Sequence, residues 1–325
     1  MSPTHVDLRA LQEDEVDRIE RSDDRQTRLD ERMSPRIAAD HDTREVLVIE
    51  PKRSRGLAAA FDRSFLREVS RQRELLYFLI WRDIKVRYKM AALGLAWALM
   101  VPLVSTIIFG VIGTKLGFGN GQPAPWIMVL AAGMTPWLFI QKCVSDGGQS
   151  LVHNQQLLSK IYMPRVFIPS ASCGTAMVDM LTAFLITSGF AVIFTITGSW
   201  TPTWNVLAIP LLVPLTFVAG VGTAILLSGI TVLYRDVRFL IPFFTQFGLW
   251  LSAVVFPLEL VLPENYLWIA AINPYAGIVS AWRSAIIGTE WQPLLVASSC
   301  VLSPIILLVG VAYFRHVERR FADIA

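Results

Sequence analysis

Four cations, Arg82, Lys85, Arg87 and Lys89, stand within the stretch WRDIKVRYK at 81–89, interleaved with Trp81 and Tyr88. On helical spacing Arg82, Lys85 and Lys89 share one face and Trp81, Ile84 and Tyr88 another, and Asp83 is placed to pair with Arg87 four residues on. The chemistry on offer is binding rather than catalysis. Each basic side chain near an anionic membrane surface contributes about 1 kcal/mol, screened beyond a Debye length. Arginine adds a planar fork that makes paired hydrogen bonds to phosphate oxygens, which lysine does not reproduce. A plain anchor to lipid headgroups explains the same residues.

Three further ionisable residues, Lys142, Asp146 and Asp179, sit in apolar surroundings. An ionisable group at bilayer depth normally faces protein or water and has a partner. Lys142 and Asp146 are i, i+4 and are expected to pair. Asp179 has no local partner, so an interhelical hydrogen bond is expected ahead of a substrate or gating contact. Cys143, Cys173 and Cys300 lie far apart in or beside apolar runs, as small hydrophobes do, and no metal site or disulfide is expected. None of the lysines, at 52, 85, 89, 115, 142 and 160, precedes Ser or Thr. A phosphate-cradling loop of the P-loop type is therefore ruled out. Gly117, Gly119 and Gly121 alternate without a preceding strand and read as a turn.

These residues are positioned by a strongly apolar chain. Its 325 residues are 54% hydrophobic with a mean hydropathy of +0.50, which points to a protein that crosses the membrane several times. Residues 1–90 carry 19 of the 29 Lys and Arg and 18 of the 26 Asp and Glu. Residues 1–60, too polar to bury a core, are expected to form a disordered cytoplasmic tail. No cleavable signal is expected, because the first long apolar run begins near residue 91. Residues 61–90 are expected to form an amphipathic interfacial helix, and the chain changes solvent at Met90.

Six spans are expected, at 92–114, 126–146, 169–197, 206–233, 239–257 and 293–314. A span needs about 20 apolar residues to cross a hydrocarbon core of about 30 Å. Lys160 and Arg165, then Arg235 and Arg238, then Arg315, Arg319 and Arg320 mark one side. The opposite linkers at 115–125 and 198–205 hold only Lys115. The excess of cations puts both termini in the cytoplasm. Residues 258–292 are too apolar for a solvated loop and too broken by Pro263, Asn273, Pro274 and Gly288 to span. A re-entrant helix pair between spans five and six is expected there, with an outer-surface hairpin as the alternative.

Leu157, Leu158, Ile161 and Tyr162 form an apolar edge on a short helix that also carries Lys160 and ends before Pro164 and Arg165. Arg235, Asp236 and Arg238 crowd a short turn, for which an electrostatic anchor is as good a reading as a protein contact. Trp126 and Trp268 read as interfacial anchors. Trp97, Trp137, Phe139 and Trp250 are the candidates for lining a channel, since a ring face accepts the C–H face of a sugar without a fixed hydrogen-bond pattern. Trp282 and Tyr275 complete the aromatic set.

WRDIKVRYKMAALGLAWALMVPL, GMTPWLF at 133–139, NQQLLSKIYMPRVFIP at 154–169, LYRDVRFLIPFFTQ at 233–246 and NPYAGIVSAWRSAIIG at 273–288 together resemble the permease subunit of ABC-2 type polysaccharide and polyol-phosphate exporters. These include the O-antigen, teichoic acid and mycobacterial galactan exporters. The resemblance covers residues 70–318, in the family's order and spacing. It implies an all-α integral membrane protein of the inner (plasma) membrane: six spans over 91–318, with 319–325 as a cytoplasmic C-terminus. It implies a homodimer joined to two copies of a separate ATPase that carries ATP and Mg, with no cofactor on this chain and no nucleic acid as partner. The substrate it implies is a lipid-diphosphate-linked glycan moving outward from the cytoplasm. Leu157, Leu158, Lys160, Ile161, Tyr162 and Arg165 then fall at the coupling helix that meets the ATPase, and Arg82, Lys85, Arg87 and Lys89 at the entrance for the lipid-diphosphate. The rival readings are an integral membrane glycan polymerase or glycosyltransferase, disfavoured by the sparse acids beyond the N-terminal region, and an ABC-2 exporter of drugs or lipids.

Overall fold

The computed structural model describes residues 67, 69–89, 95–118, 123–160, 163–258 and 263–321. Residues 1–60 lie outside them, as do Ile161, Tyr162 and the side chains of Lys89, Trp97, Leu158 and Lys160. Among the described residues every regular element is a helix. In chain order these are α1 Arg73–Lys89, α2 Leu95–Lys115, α3 Trp126–Lys142, α4 Gly148–His153, α5 Gln155–Lys160, α6 Phe167–Ile196, α7 Ile209–Leu233, α8 Val237–Leu251, α9 Leu267–Ala270, α10 Pro274–Ile287 and α11 Pro293–Phe321.

Local signals set the boundaries. α2 stops where Gly117 takes a left-handed φ of 81° and Phe118 N–H donates to Gly113 O at 3.0 Å, closing the helix end. α3 starts after Pro125, runs through the π-helical turn Cys143–Gly147 and continues as α4. α10 begins at Pro274, and Asn273 Oδ1 caps it by accepting from Tyr275 N–H.

Four helical stretches among the described residues are long and apolar enough to cross a membrane: Trp126–His153, Phe167–Ile196, Trp204–Leu233 and Pro293–Glu318. Pro102–Lys115 and Val237–Leu251 are apolar but shorter. At 15 residues α8 extends only about 22 Å at 1.5 Å per residue, less than a hydrocarbon core. The span expected at 239–257 is thus a short helix followed by irregular chain, and that chain is buried from Ser252 to Val255. In α10 every residue but Tyr275 is buried.

Small residues let the long helices approach. A Cβ on Gly222 of α7 would lie 2.6 Å from the Leu307 nitrogen of α11, and one on Gly310 would lie 2.5 Å from Gly222 O. Lipid gives no hydrophobic drive between helices, so such backbone contact supplies the packing energy. α3 meets α6 through Thr135 and Thr187, whose hydroxyls are 2.9 Å apart. α10 packs against α11 at Gly277 and reaches α7 where Trp282 Nε1 donates to Thr216 Oγ1 at 3.0 Å.

Candidate functional site

α1 lies against α6, with Leu79 buried and Ile80 over Gly174, where a Cβ would come within 2.6 Å of Ile80 Cδ1. This seat brings Arg87 to two carboxylates on other helices. Its Nη2 donates to Asp146 Oδ2 at 2.7 Å and its Nη1 to Asp179 Oδ2 at 2.9 Å. Lys142 Nζ is 3.7 Å from the same Asp146 oxygen, and Ser145 Oγ donates to Asp146 Oδ1 at 3.0 Å. Two cations and two anions therefore meet where α1, the π-helical turn and α6 converge. π-helical turns of this kind occur often at functional sites.

The side chains of Arg87, Asp146 and Asp179 are 30%, 39% and 15% exposed. An exposed pair would contribute little, but Asp179 is largely shielded, and an ion pair in less polar surroundings is the stronger for it. The interhelical partner of Asp179 is thus Arg87. The pairing expected between Asp83 and Arg87 is replaced: Arg82 donates to Asp83 Oδ1 through Nε at 2.9 Å and Nη2 at 2.7 Å. Of the carboxylates Arg87 reaches, Asp179 is less solvated than Asp83, and charge-assisted hydrogen bonds are stronger in such a setting. Arg82 Nη2 also reaches Asn154 Oδ1 at 3.4 Å, at the start of the segment leading to α5. Lys85 holds its ammonium 5.2 Å from the Trp81 ring centroid, a cation–π contact on the exposed side of α1.

The aromatic residues divide. Trp250 is 51% exposed, on a face of α8 that also shows Phe239, Phe243 and Phe247. Phe243 and Phe247 pack one turn apart with centroids at 4.1 Å and planes tilted by 37°. Trp137 and Phe139, expected to line a channel, are instead core residues of the protomer, 3% and 0% exposed. Phe139 packs on Phe217 at 6.0 Å and over Gly220, and Trp137 over Gly248, where missing side chains leave room for a ring. Trp126 is likewise buried, against Phe118 and Gly113, while Trp268 is exposed.

In the short turn Arg235, Asp236 and Arg238, Arg238 Nε donates to Arg235 O at 3.3 Å, a local bond that closes the turn before α8. Leu157 is partly buried against the core, and Arg165 lies just before α6. Arg283 was missed from the sequence. Its side chain is buried on α10, and Nη2 donates to Ala253 O at 2.9 Å and Val254 O at 3.1 Å. The signal was present, because an arginine inside an apolar helical run must find acceptors.

Residues 74–287 match the family model described as ABC-2 type transporter. The chain is 27% identical over 256 residues to the O-antigen export system permease protein RfbA of Klebsiella pneumoniae, covering 77% of this chain and 95% of that relative. It is 22% identical over 264 residues to the protein of the same name from Myxococcus xanthus, covering 79% of this chain and 98% of the relative.

Proposed function

The chain belongs to the ABC-2 type transporter family, and from that premise we propose that it is the membrane subunit of an ATP-driven exporter for a cell-envelope polysaccharide. The observation that carries this reading is the match over 95% and 98% of the length of relatives named as O-antigen export permeases. Two features of the fold support it. The exposed aromatic face of α8 suits a polymer that slides, since ring faces hold sugars without fixing their register. The charged junction under α1 suits a subunit whose basic surface helix must follow rearrangements of the spans.

On this reading the substrate is a glycan linked to lipid diphosphate, of O-antigen, galactan or teichoic acid type. It approaches at the cytoplasmic face along Arg82, Lys85, Arg87 and Lys89. Arg87 is already held by Asp146 and Asp179, so a diphosphate there competes with two carboxylates, whereas Lys85 is exposed. The protein sits in the inner membrane with six spans, α8 serving as a short one, a re-entrant α9–α10 pair and both termini in the cytoplasm. It works as a homodimer with two copies of an ABC ATPase that carries ATP and Mg. Residues 157–165 serve as the coupling segment, Arg235, Asp236 and Arg238 as a second cytoplasmic turn, and residues 1–60 as a tail.

The test is deletion of the chain in its own cells. Surface polysaccharide should disappear while lipid-linked glycan accumulates inside, and expression of the chain should reverse both. Normal surface polysaccharide in the deletion strain would refute the assignment.

A further inference from the structure

α8 ends inside the apolar part of the fold in a helix-closing turn, with Ala253 N–H donating to Trp250 O at 3.1 Å and Val254 N–H to Leu249 O at 3.2 Å, after which the chain runs on as irregular backbone. Buried irregular backbone at that depth is tolerated only where protein satisfies its polar groups. α10 supplies two side chains for this. Asn273 Nδ2 donates to Ser252 Oγ at 3.0 Å and to Leu251 O at 3.4 Å, and Arg283 Nη2 donates to both Ala253 O and Val254 O. Ala253 has a φ of 55°, the one positive φ at a non-glycine residue among the described residues. Such a conformation persists when the surroundings over-determine it. A cation at the carbonyl end of a helix also suits the helix dipole.

The turn has a directional consequence. It folds the chain back so that Phe256 stacks on Trp250, with centroids 5.9 Å apart and planes 30° apart, while Phe256 also packs on Phe118 and Trp126. Gly133 of α3 leaves the space for this, since a Cβ there would lie 2.9 Å from Val254 O and 3.0 Å from Arg283 Nη2.

We propose that Arg283 is a positioning residue for glycan passage: by holding the Ala253 and Val254 carbonyls it fixes the turn that, through Phe256, aims Trp250 along the exposed face of α8. This rests on the reading of α8 as a wall of the glycan path. Arg283 touches no substrate and acts only through the turn.

A positive φ costs alanine more than glycine, which gives a test specific to this role. With assembly confirmed by co-purification with the ATPase, Arg283→Gln should lower glycan export about tenfold, the loss typical of one charge-assisted hydrogen bond. Adding Ala253→Gly, which lets the turn form without the clamp, should restore most of it. A general packing role for Arg283 would not respond to Ala253→Gly. A nitroxide at Leu251, in a Cys300→Ser background, should change mobility in Arg283→Gln and return with Ala253→Gly, a readout independent of transport. Wild-type export in Arg283→Gln, or a deficit and a nitroxide shift that Ala253→Gly leaves in place, would overturn the proposal. If Arg283→Gln does not assemble, Arg283→Lys carries the same test, with a smaller deficit that Ala253→Gly must reverse. Should the wild-type complex itself move no glycan, the exporter reading fails while the nitroxide result still decides the role of Arg283.

Discussion

Arg87 and Asp179 lie 92 positions apart in the chain and are joined by an ion pair of 2.9 Å. The same guanidinium holds Asp146, so one side chain fastens the surface helix α1 to two other elements at once. Arg87→Ala leaves a largely shielded carboxylate without that partner. The expected loss is about 1–3 kcal/mol, the cost of an unpaired polar group in such a place. Asp179→Ala added to Arg87→Ala should recover part of it, because no stranded charge remains at that position. Thermal unfolding of detergent-purified protein checks both. An Arg87→Ala chain that melts with the wild type would show that the junction does not hold α1.

Gly222 and Gly310 mark the tightest approach of α7 and α11, where the nearest atoms are backbone and do not move aside as a side chain would. Gly222→Ala or Gly310→Ala should therefore destabilise by about 1–3 kcal/mol, the usual cost of forced overpacking. Gly189 has nothing within 4 Å of an added Cβ, so Gly189→Ala should be tolerated. Melting temperatures of the three variants should separate the first two from the third.

Most of the helical plan was legible because its signals are local. The span expected at 169–197 is α6, Phe167–Ile196, a long apolar run interrupted among charged residues only by Asp179. Side-chain partners were not legible in the same way. Spacing favoured Asp83 for Arg87, and no spacing rule contains the approach of Asp146 and Asp179 on other helices. Trp137, Phe139 and Trp250 are equivalent as ring types, and the glycines opposite them, Gly248 and Gly220, decide which are covered. The span expected at 239–257 is not a continuous helix: Pro257 has no N–H to donate to Ala253 O four residues back, and Arg283, some thirty positions on, satisfies the carbonyls of the break instead.

The isolated chain should neither bind nor hydrolyse ATP, because no lysine in it is followed by Ser or Thr as a phosphate loop requires. Nucleotide binding and turnover assays on purified chain, with contaminating ATPases excluded, check this. Turnover that purifies with the chain would contradict it.

Leu158→Asp with Ile161→Asp should lower co-purification of the ATPase while membrane insertion persists. Both residues fall on the apolar edge read from NQQLLSKIYMPR, and an unpaired carboxylate pressed into an apolar contact costs several kcal/mol, roughly the scale of a broken buried ion pair. Unchanged yield of the complex would remove this segment from the docking surface.

The exporter assignment is tested most directly with the purified chain and its ABC ATPase in proteoliposomes loaded with lipid-linked glycan on the side bearing the ATPase. Addition of ATP should bring the glycan to the opposite leaflet, seen as accessibility to a membrane-impermeant lectin, and omission of either protein or of ATP should abolish this. ATP hydrolysis by an assembled complex with no glycan reaching the far leaflet would contradict the account.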